Sequence, residues 1–157
     1  MSSILKQFLA SSDFADEHSC KQLEYKAGAS ILHEGEESLD VYYILQGHVR
    51  INKRVVLYDG RQIQSGFCSL GSGDTFGELN LFDGSPRSAT VVASDQVTIV
   101  RINRDVLLRY LDAHPQQAYL LFKDWLQRLA GNLRQSNERS SGLFAWGLNQ
   151  YGIDDDL

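Results

Sequence analysis

The segment FGELNLFDGSPRSATV, residues 76–91, determines how the rest of the chain is interpreted. It places Glu78 directly after a glycine and Arg87 directly after a proline, nine positions further along, among mainly apolar and small residues. A guanidinium in apolar surroundings is costly unless it is paired, and its planar fork matches two oxygens of a carboxylate or a phosphate. Arg87 is therefore predicted to bind an anion, which is either Glu78 of the same chain or a phosphate.

The glycines before residue 78 favour a phosphate. The stretch GSGDTFGEL runs into a predicted short helical turn, ELNLF, and glycine-rich backbone leading into a helix presents N–H groups to an anion. Glu78 is unsuited to a phosphate, but it can accept a hydrogen bond from a ribose 2′-hydroxyl. The predicted ligand therefore carries one phosphate, one ribose and an apolar-sided base. The groups predicted to surround the phosphate are the backbone of Gly77 to Leu79, the Arg87 side chain, the Ser88 hydroxyl and the amides of Ser88 and Ala89.

The spacing alone leaves a second interpretation open. In this interpretation the segment is a hairpin, in which a Glu78–Arg87 pair stabilises the turn and Pro86 fixes the loop. Such a segment would contain the same residues and bind no nucleotide.

Short strands are predicted on both sides of this segment. Residues from about 25 to 102 alternate β-branched and aromatic runs with glycines, a pattern typical of strands joined by tight turns. Asp59-Gly60 is the strongest hairpin signal, and another turn is predicted at Ser94-Asp95. About eight short strands at regular spacing predict a small antiparallel roll or barrel.

Helices are predicted at both ends of these strands. Apolar residues at helical spacing predict an N-terminal helix that reaches about Tyr25. Asn103 is the predicted N-cap of a helix ending at His114, and Pro115 begins a longer helix that runs to about Ser140. A wide apolar stripe on the longer helix predicts that half of it packs on the roll while the remainder meets a second copy of the chain. The stripe consists of Ala118, Leu121, Phe122, Trp125, Leu126, Leu129 and Leu133.

The predicted organisation is one domain over residues 1–140, followed by a short tail over residues 141–157. Within the domain, the β-roll covers about 25–102 and the C-terminal helices cover about 103–140. The glycines of the tail disfavour a long helix, and Asp154 to Asp156 are expected to be solvated.

Composition excludes several classes of protein. With 157 residues, 43% of them hydrophobic and 22% charged, the chain has the size and content of one soluble domain. A net charge of -5 argues against a nucleic-acid surface, because cations supply most of the affinity for phosphates. Polar residues interrupt the apolar positions of the N-terminus, so no signal peptide is predicted and a cytoplasmic location is expected. Cys20 and Cys68 stand too far apart to indicate a metal knuckle or a redox pair.

The quoted segment resembles the phosphate-binding cassette of the cyclic-nucleotide-binding domain family. In that pattern F-G-E-hydrophobic-small-L is followed by a short variable stretch and then by P-R-[small or hydroxyl]-A-T. The matching positions are Phe76, Gly77, Glu78, Leu79, Leu81, Pro86, Arg87, Ser88, Ala89 and Thr90. An upstream frame also matches, at Gly28, Ile31, Gly35, Asp40, Tyr42, Ile44, Gly47, Val49, Gly71, Gly73 and Asp74. The similarity covers about residues 5–140.

This resemblance implies a fold and a set of roles. The fold is mainly β with flanking helices: a double-stranded β-helix, or jelly-roll-like β-roll, with an N-terminal helix and two C-terminal helices. Arg87 would pair with the exocyclic phosphate oxygens and Glu78 with the ribose 2′-hydroxyl. The residues that would line the phosphate pocket are Gly77, Leu79, Ser88 and Ala89. Two positions depart from the pattern, since Asn80 replaces Ala or Gly and Ser72 replaces a common proline.

Neither catalysis nor metal binding is predicted. The four histidines, His18, His33, His48 and His114, lie apart and lack H-x-H or H-x-x-x-H partners. The stretch ILHEGEE invites a metal interpretation of the kind found in cupin barrels, but the second histidine of such a site is missing. No nucleophile elbow or G-K-[ST] loop is present.

The sequence therefore predicts a non-enzymatic sensor that binds a cyclic mononucleotide, cyclic AMP before cyclic GMP, with no cofactor. Only 17 residues follow Ser140, too few for the helix-turn-helix domain of the family's transcription regulators, so no DNA partner is expected. The signal is expected to pass through the C-terminal helix to a dimer mate or an effector protein. Candidate base contacts are Asn132, Gln135 and Ser136. The alternative function is a ligand-free protein-interaction module held by a Glu78–Arg87 salt bridge.

Overall fold

The computed structural model describes residues 3–10, 18–57 and 59–151. The strands of this part of the chain are β1 (Cys20–Tyr25), β2 (Ser30–Leu32), β3 (Val41–Gln46), β4 (Val49–Val56), β5 (Gln62–Leu70), β6 (Thr75–Phe76), β7 (Thr90–Ala93) and β8 (Val97–Ile102). The helices are α1 (Ser3–Leu9), α2 (Asn80–Asp83), α3 (Arg104–Ala113) and α4 (Pro115–Tyr151). Asp154 to Asp156 lie outside the described residues.

The strands form two antiparallel four-stranded sheets. One has the order β1-β8-β3-β6 and the other has the order β2-β7-β4-β5. A buried cluster that includes Ile44, Val49, Val91 and Ile99 draws its side chains from strands of both sheets. The predicted antiparallel β-roll with flanking helices is therefore confirmed.

The first strand corrects a prediction. Residues 20–25 were expected to be helical, but they form β1, which pairs with β8 from Cys20 opposite Ile102 to Tyr25 opposite Val97. Leu23 and Tyr25 pack against the core and stand two residues apart, which is the period of a strand. Tertiary pairing with β8 therefore overrides the helical spacing of the apolar residues.

Two predicted turns lie between paired or consecutive strands. Asp59-Gly60 is at the β4–β5 connection, where Val56 pairs with Gln62 and Gly60 has a φ of 82°. Tyr58 of the same turn lies outside the described residues. Ser94-Asp95 connects β7 and β8. Both turn predictions are confirmed.

The chain divides into two compact units, Met1–Pro115 and Gln116–Leu157. In the first unit, the Asn103 side chain caps α3, since its Oδ1 accepts hydrogen bonds from the N–H groups of Asp105 at 3.0 Å and Val106 at 3.2 Å. This N-cap was predicted from the sequence.

The second unit is built on α4, which has 37 residues from Pro115 to Tyr151. The prediction that glycines end this helix near Ser140 is wrong, because α4 continues through Gly142 and Gly147. A glycine inside a helix costs about 1 kcal/mol relative to alanine, which the backbone hydrogen bonds of a long cooperative helix offset. No helix among the described residues is both long and apolar enough to cross a bilayer.

Candidate functional site

The quoted segment folds as a strand end, a turn, a short helix and a loop. Phe76 ends β6, the turn at residues 77–79 follows, and α2 covers Asn80–Asp83. Gly84 ends α2 in the left-handed region with a φ of 66°, and the loop then runs to Thr90 at the start of β7. We call residues 77–90 the cassette.

Arg87 is the buried centre of the cassette. Its side chain is only 3% exposed and donates four hydrogen bonds to oxygens of the protein. Nε donates to the Ser38 hydroxyl at 2.9 Å, and Nη2 donates to the Asp40 carbonyl at 2.6 Å. Nη1 donates both to the Gly77 carbonyl at 3.0 Å and to Asn80 Oδ1 at 3.3 Å. All four acceptors are neutral, so within the described part of the chain no carboxylate is in contact with the guanidinium.

The absence of a carboxylate contact bears on the two interpretations of the sequence. The alternative function requires a Glu78–Arg87 salt bridge, and no such pair is among the contacts of Arg87 with the described residues. Burial lowers the pKa of the Arg87 guanidinium, while electrostatic interactions with Tyr42, Glu36, Asp40 and, last, Glu78 raise it without a direct contact from a carboxylate of the described residues. An arginine keeps its proton under such shifts, so the cassette contains a buried positive charge.

Gly77 lies directly against Arg87. A Cβ added at this position would be 2.7 Å from Arg87 Nη1 and 3.0 Å from the Asp40 carbonyl oxygen. Gly77 also has a φ of 83°, which side chains rarely adopt. A glycine is therefore required at position 77 both by the backbone conformation and by the close approach of the guanidinium.

Tyr42 on β3 lies beneath the guanidinium. The Arg87 Cζ atom is 5.7 Å from the centroid of the Tyr42 ring, within the range of a cation–π contact. On β6, the Phe76 ring stacks on Tyr42, with centroids 5.0 Å apart and planes inclined by 4°. Burial raises the pKa of the Tyr42 hydroxyl to about 12. An aromatic pair from two strands thus forms an apolar floor for a charged side chain.

Asn80 departs from the sequence pattern of the cassette, and its side chain connects α2 to three consecutive residues of the following loop. Its Nδ2 donates to the carbonyls of Ser85 at 2.6 Å and Pro86 at 2.9 Å, while its Oδ1 accepts from Arg87. The side chain is buried, with 4% of the residue exposed. Asn80 therefore adds a polar contact at a position where the sequence pattern has a small residue.

The connection between β2 and β3, residues 33–40, is the part of the site that the sequence analysis missed. No contact between this connection and Arg87 was predicted, but Arg87 exchanges two backbone hydrogen bonds with it, one to Glu36 at 2.9 Å and one from Gly35 at 2.8 Å. Ser38 and Asp40 supply two of the four acceptors of the guanidinium. The number of donors on Arg87 could have indicated this contact. Five N–H groups on one buried side chain need more acceptors than the cassette itself offers, so further acceptors had to come from another segment.

The other predicted site residues are placed as follows. Glu78 and Ala89 are half-buried, whereas Leu79 and Ser88 are exposed within the same cassette. The candidate base contacts Asn132, Gln135 and Ser136 are exposed on α4, in the second unit, and their role stays a prediction. Among the described residues, no group of three or more His, Cys, Asp or Glu side chains could hold a metal ion.

The sequence of this chain is similar to a known domain family and to proteins from bacteria and fungi. The family model for the cyclic nucleotide-binding domain matches residues 22–114. A CRP-like cAMP-activated global transcriptional regulator of Mycobacterium tuberculosis is 30% identical over 121 residues, which are 77% of this chain and 50% of that protein. A cAMP-dependent protein kinase regulatory subunit of Aspergillus fumigatus is 36% identical over 90 residues, 57% of this chain and 20% of the subunit.

A solved structure has a similar fold. It is a cyclic nucleotide-binding domain from Methylobacillus flagellatus KT, with a TM-score of 0.66 and 27% identity, and the match covers 77% of this chain and 66% of that one. The chain spans about half the length of the transcriptional regulators that it matches. The family match begins within β1, includes β2 to β8 and the cassette, and ends at His114.

Proposed function

Because this chain belongs to the cyclic nucleotide-binding domain family, we propose that it binds a cyclic mononucleotide in the cassette and acts as a regulatory sensor, not as an enzyme. The observation that carries this proposal is the buried Arg87, whose four acceptors are all neutral. A buried cation without a contacting carboxylate leaves a charge that an anionic ligand would compensate.

The phosphate would bind on the Arg87 side of the cassette. The exposed Ser88 hydroxyl and the backbone of Gly77, Leu79 and Ala89 are the other proposed contacts. Charge-assisted hydrogen bonds from a guanidinium to phosphate oxygens are roughly twice as strong as those to neutral acceptors. Arg87 therefore gains from exchanging a neutral acceptor for a phosphate oxygen.

The ribose would be held by Glu78. A carboxylate only accepts hydrogen bonds, and the 2′-hydroxyl of a ribose is a donor close to the phosphate of a cyclic nucleotide. Glu78 follows Gly77 directly, so it is one residue away from the carbonyl that contacts Arg87. If this hydrogen bond forms, removing either the carboxylate or the 2′-hydroxyl should weaken nucleotide binding to the same extent.

We propose cyclic AMP as the preferred nucleotide. The bacterial relative is described as cAMP-activated and the fungal relative as cAMP-dependent, which supports cyclic AMP over cyclic GMP for this chain. The proposed base contacts are Asn132, Gln135 and Ser136 of α4. The site of action is proposed to be the cytoplasm.

The signal is proposed to leave the cassette through α3 and α4. Arg104, the first residue of α3, donates from Nε to the Leu81 carbonyl of α2 at 2.9 Å. Asp40 joins the same region, since its Oδ1 accepts from the Arg104 N–H at 3.4 Å while its carbonyl accepts from Arg87. Movement of α2 on ligand binding would therefore pull on the start of α3. The ligand can shift this arrangement only by its difference in affinity for the two states.

The receiver of the signal is proposed to be a dimer mate bound along α4, or an effector protein. Two interleaved series with a spacing of seven residues lie on α4, three positions apart, which is the spacing of a coiled-coil seam. One series is Tyr119, Leu126 and Leu133, and the other is Phe122, Leu129 and Leu143, with Ser136 at the intervening position. Leu126 and Leu133 are 68% and 62% exposed, so the seam leaves apolar surface for a second helix.

Calorimetric titration tests the binding proposal. We expect micromolar binding of cyclic AMP and weaker binding of cyclic GMP. Arg87→Ala should weaken binding by at least about 30-fold, since truncating one partner of a buried charge pair costs about 2–5 kcal/mol. Arg50→Ala removes an exposed arginine of β4 and is the matched control. Glu78→Gln should weaken binding of cyclic AMP but leave that of 2′-deoxy cyclic AMP almost unchanged.

The outcomes separate the two functions. If the wild-type protein gives neither heat nor a thermal shift at millimolar nucleotide, the sensor proposal is wrong, and a ligand-free interaction module without the predicted Glu78–Arg87 salt bridge takes its place. If binding occurs but survives Arg87→Ala, the nucleotide binds outside the cassette.

A further inference from the structure

We infer that Asn80 competes with the ligand phosphate for Arg87 and thereby lowers the affinity of the cassette for nucleotide. This inference rests on the proposed function, because it describes how one side chain tunes the same site. It concerns a positioning residue, since Asn80 would act on the ligand through Arg87. Three observations carry it: the donors of Arg87, the orientation of the Asn80 amide, and the burial of both side chains.

The donors of Arg87 are nearly all in use. A guanidinium has five N–H groups, and Arg87 donates four hydrogen bonds to the protein. Nη1 uses both of its hydrogens, one for the Gly77 carbonyl and one for Asn80 Oδ1. A two-pronged contact with phosphate requires two donors, so at least one of the present acceptors has to be given up.

Asn80 Oδ1 is the acceptor that we expect to be given up. Its distance of 3.3 Å to Nη1 is the longest of the four, whereas the Asp40 carbonyl is at 2.6 Å. The carbonyls of Gly77 and Asp40 belong to the backbone of the turn and of the β2–β3 connection, and they cannot turn away without moving the chain. Two acceptors belong to side chains, and of these Ser38 Oγ lies closer to Arg87, at 2.9 Å from Nε, so Asn80 Oδ1 makes the weaker contact.

The amide of Asn80 is fixed with its oxygen towards the guanidinium. Both hydrogens of Nδ2 are directed to carbonyls, those of Ser85 and Pro86, so Oδ1 remains for Arg87. When Arg87 turns to a phosphate, this oxygen is left buried without a donor, since only 4% of Asn80 is exposed. An unsatisfied buried acceptor costs free energy. The cost is subtracted from the binding of the ligand.

A purely structural role for Asn80 makes a different prediction. If the side chain only braces the loop at Ser85 and Pro86, then every substitution that removes Nδ2 should loosen the cassette and weaken binding. Asn80→Ala and Asn80→Asp both remove that donor. They differ at the acceptor, because alanine leaves no oxygen for Arg87, whereas aspartate offers a charged one that also repels a phosphate.

The test is the affinity of the wild-type protein, Asn80→Ala and Asn80→Asp for cyclic AMP, with thermal unfolding measured on each to show that it is folded. We expect Asn80→Ala to bind about tenfold more tightly than wild type and Asn80→Asp to bind at least about tenfold more weakly. A brace cannot produce tighter binding in Asn80→Ala. Equal or weaker binding in that variant overturns the inference, while the proposed function stands as long as the wild type binds.

A ligand-free measurement separates this inference from the proposed function. Nitrogen-15 NMR of the Arg87 side chain reports rotation about the Cζ–Nη1 bond, which should be faster in Asn80→Ala than in wild type. Unchanged rotation shows that Asn80 does not hold Arg87, and it overturns the inference whatever the affinities are. Faster rotation together with tighter binding in Asn80→Ala supports it. If no variant binds a nucleotide, the proposed function fails and the inference fails with it.

Discussion

The cassette and the helix α4 depend on their residues in different ways: the cassette on one buried side chain, and α4 on the spacing of many. In the cassette, one buried side chain, Arg87, gathers contacts from α2, from the turn at Gly77 and from the β2–β3 connection. In α4 the expected function depends instead on the regular spacing of exposed apolar residues such as Leu126 and Leu133. The comparison teaches that a single change should be decisive in the cassette, whereas changes in α4 should act in proportion to the apolar surface they remove.

The largest effect is expected for Gly77→Ala, which tests whether the cassette depends on single contacts. A left-handed φ costs alanine about 1–2 kcal/mol, and overpacking against Arg87 Nη1 and the Asp40 carbonyl adds about 1–3 kcal/mol. We expect the free energy of unfolding to fall by about 2–5 kcal/mol and nucleotide binding to be lost. Denaturant unfolding and calorimetric titration measure the two effects.

Gly28→Ala is the matched control for this prediction. Gly28 has a φ of 85°, close to the 83° of Gly77, but an added Cβ would meet no atom within 4 Å. Gly28→Ala should therefore cost only the backbone term of about 1–2 kcal/mol and keep nucleotide affinity. Equal losses in both variants would show that the contact between Gly77 and Arg87 contributes nothing.

The same contrast explains which parts of the site were predictable from the sequence. The motif is local, so Gly77, Arg87 and the short helix α2 could be predicted from adjacent letters. The contact between Arg87 and Asp40 joins residues 47 positions apart, and no pattern within one sequence indicates such a pairing. Asn80 was noticed as a departure from the pattern, but its three hydrogen bonds depend on where Ser85 and Pro86 fold back.

The elements of the fold show the same limit. The alternation of β-formers and turns predicted the antiparallel roll, because strand period and turn chemistry are local properties. The start of β1 at Cys20 was missed, because pairing with β8, about 80 positions away, decides it. The end of α4 was missed as well, since helix propensity weighs each glycine singly whereas a 37-residue helix is cooperative.

The next largest effect is expected for Leu133→Glu, which tests the periodic reading of α4. Burying a leucine contributes about 1.5–3 kcal/mol, and a glutamate in a helix seam faces its own copy. We expect the wild-type chain of 17.7 kDa to sediment as a dimer at micromolar concentration. Leu133→Glu should weaken the dimer by about 2–3 kcal/mol, which is roughly 30- to 150-fold.

Leu120→Glu is the control for the seam. Leu120 is 49% exposed on the same helix but lies outside both seven-residue series. It should leave the sedimentation of the dimer unchanged. A wild-type protein that is monomeric at micromolar concentration contradicts the dimer, and equal weakening by both variants contradicts the assigned seam.

The smallest effect is expected for Tyr42→Phe at high pH, which tests whether the tyrosine beneath Arg87 is buried. Because burial raises the pKa of Tyr42 from 10.0 to about 12, the unfolded chain releases this proton before the folded chain does. The stabilisation is therefore fully present below pH 10 and is lost as the pH rises towards 12. At pH 11 the free energy of unfolding has fallen by about 1.4 kcal/mol because of this group. Tyr42→Phe should remove this part of the alkaline loss of stability, so its unfolding free energy should fall less than that of wild type between pH 9 and pH 11. If the curves of wild type and Tyr42→Phe are parallel, then Tyr42 is hydrated in solution and does not form a dry floor beneath Arg87.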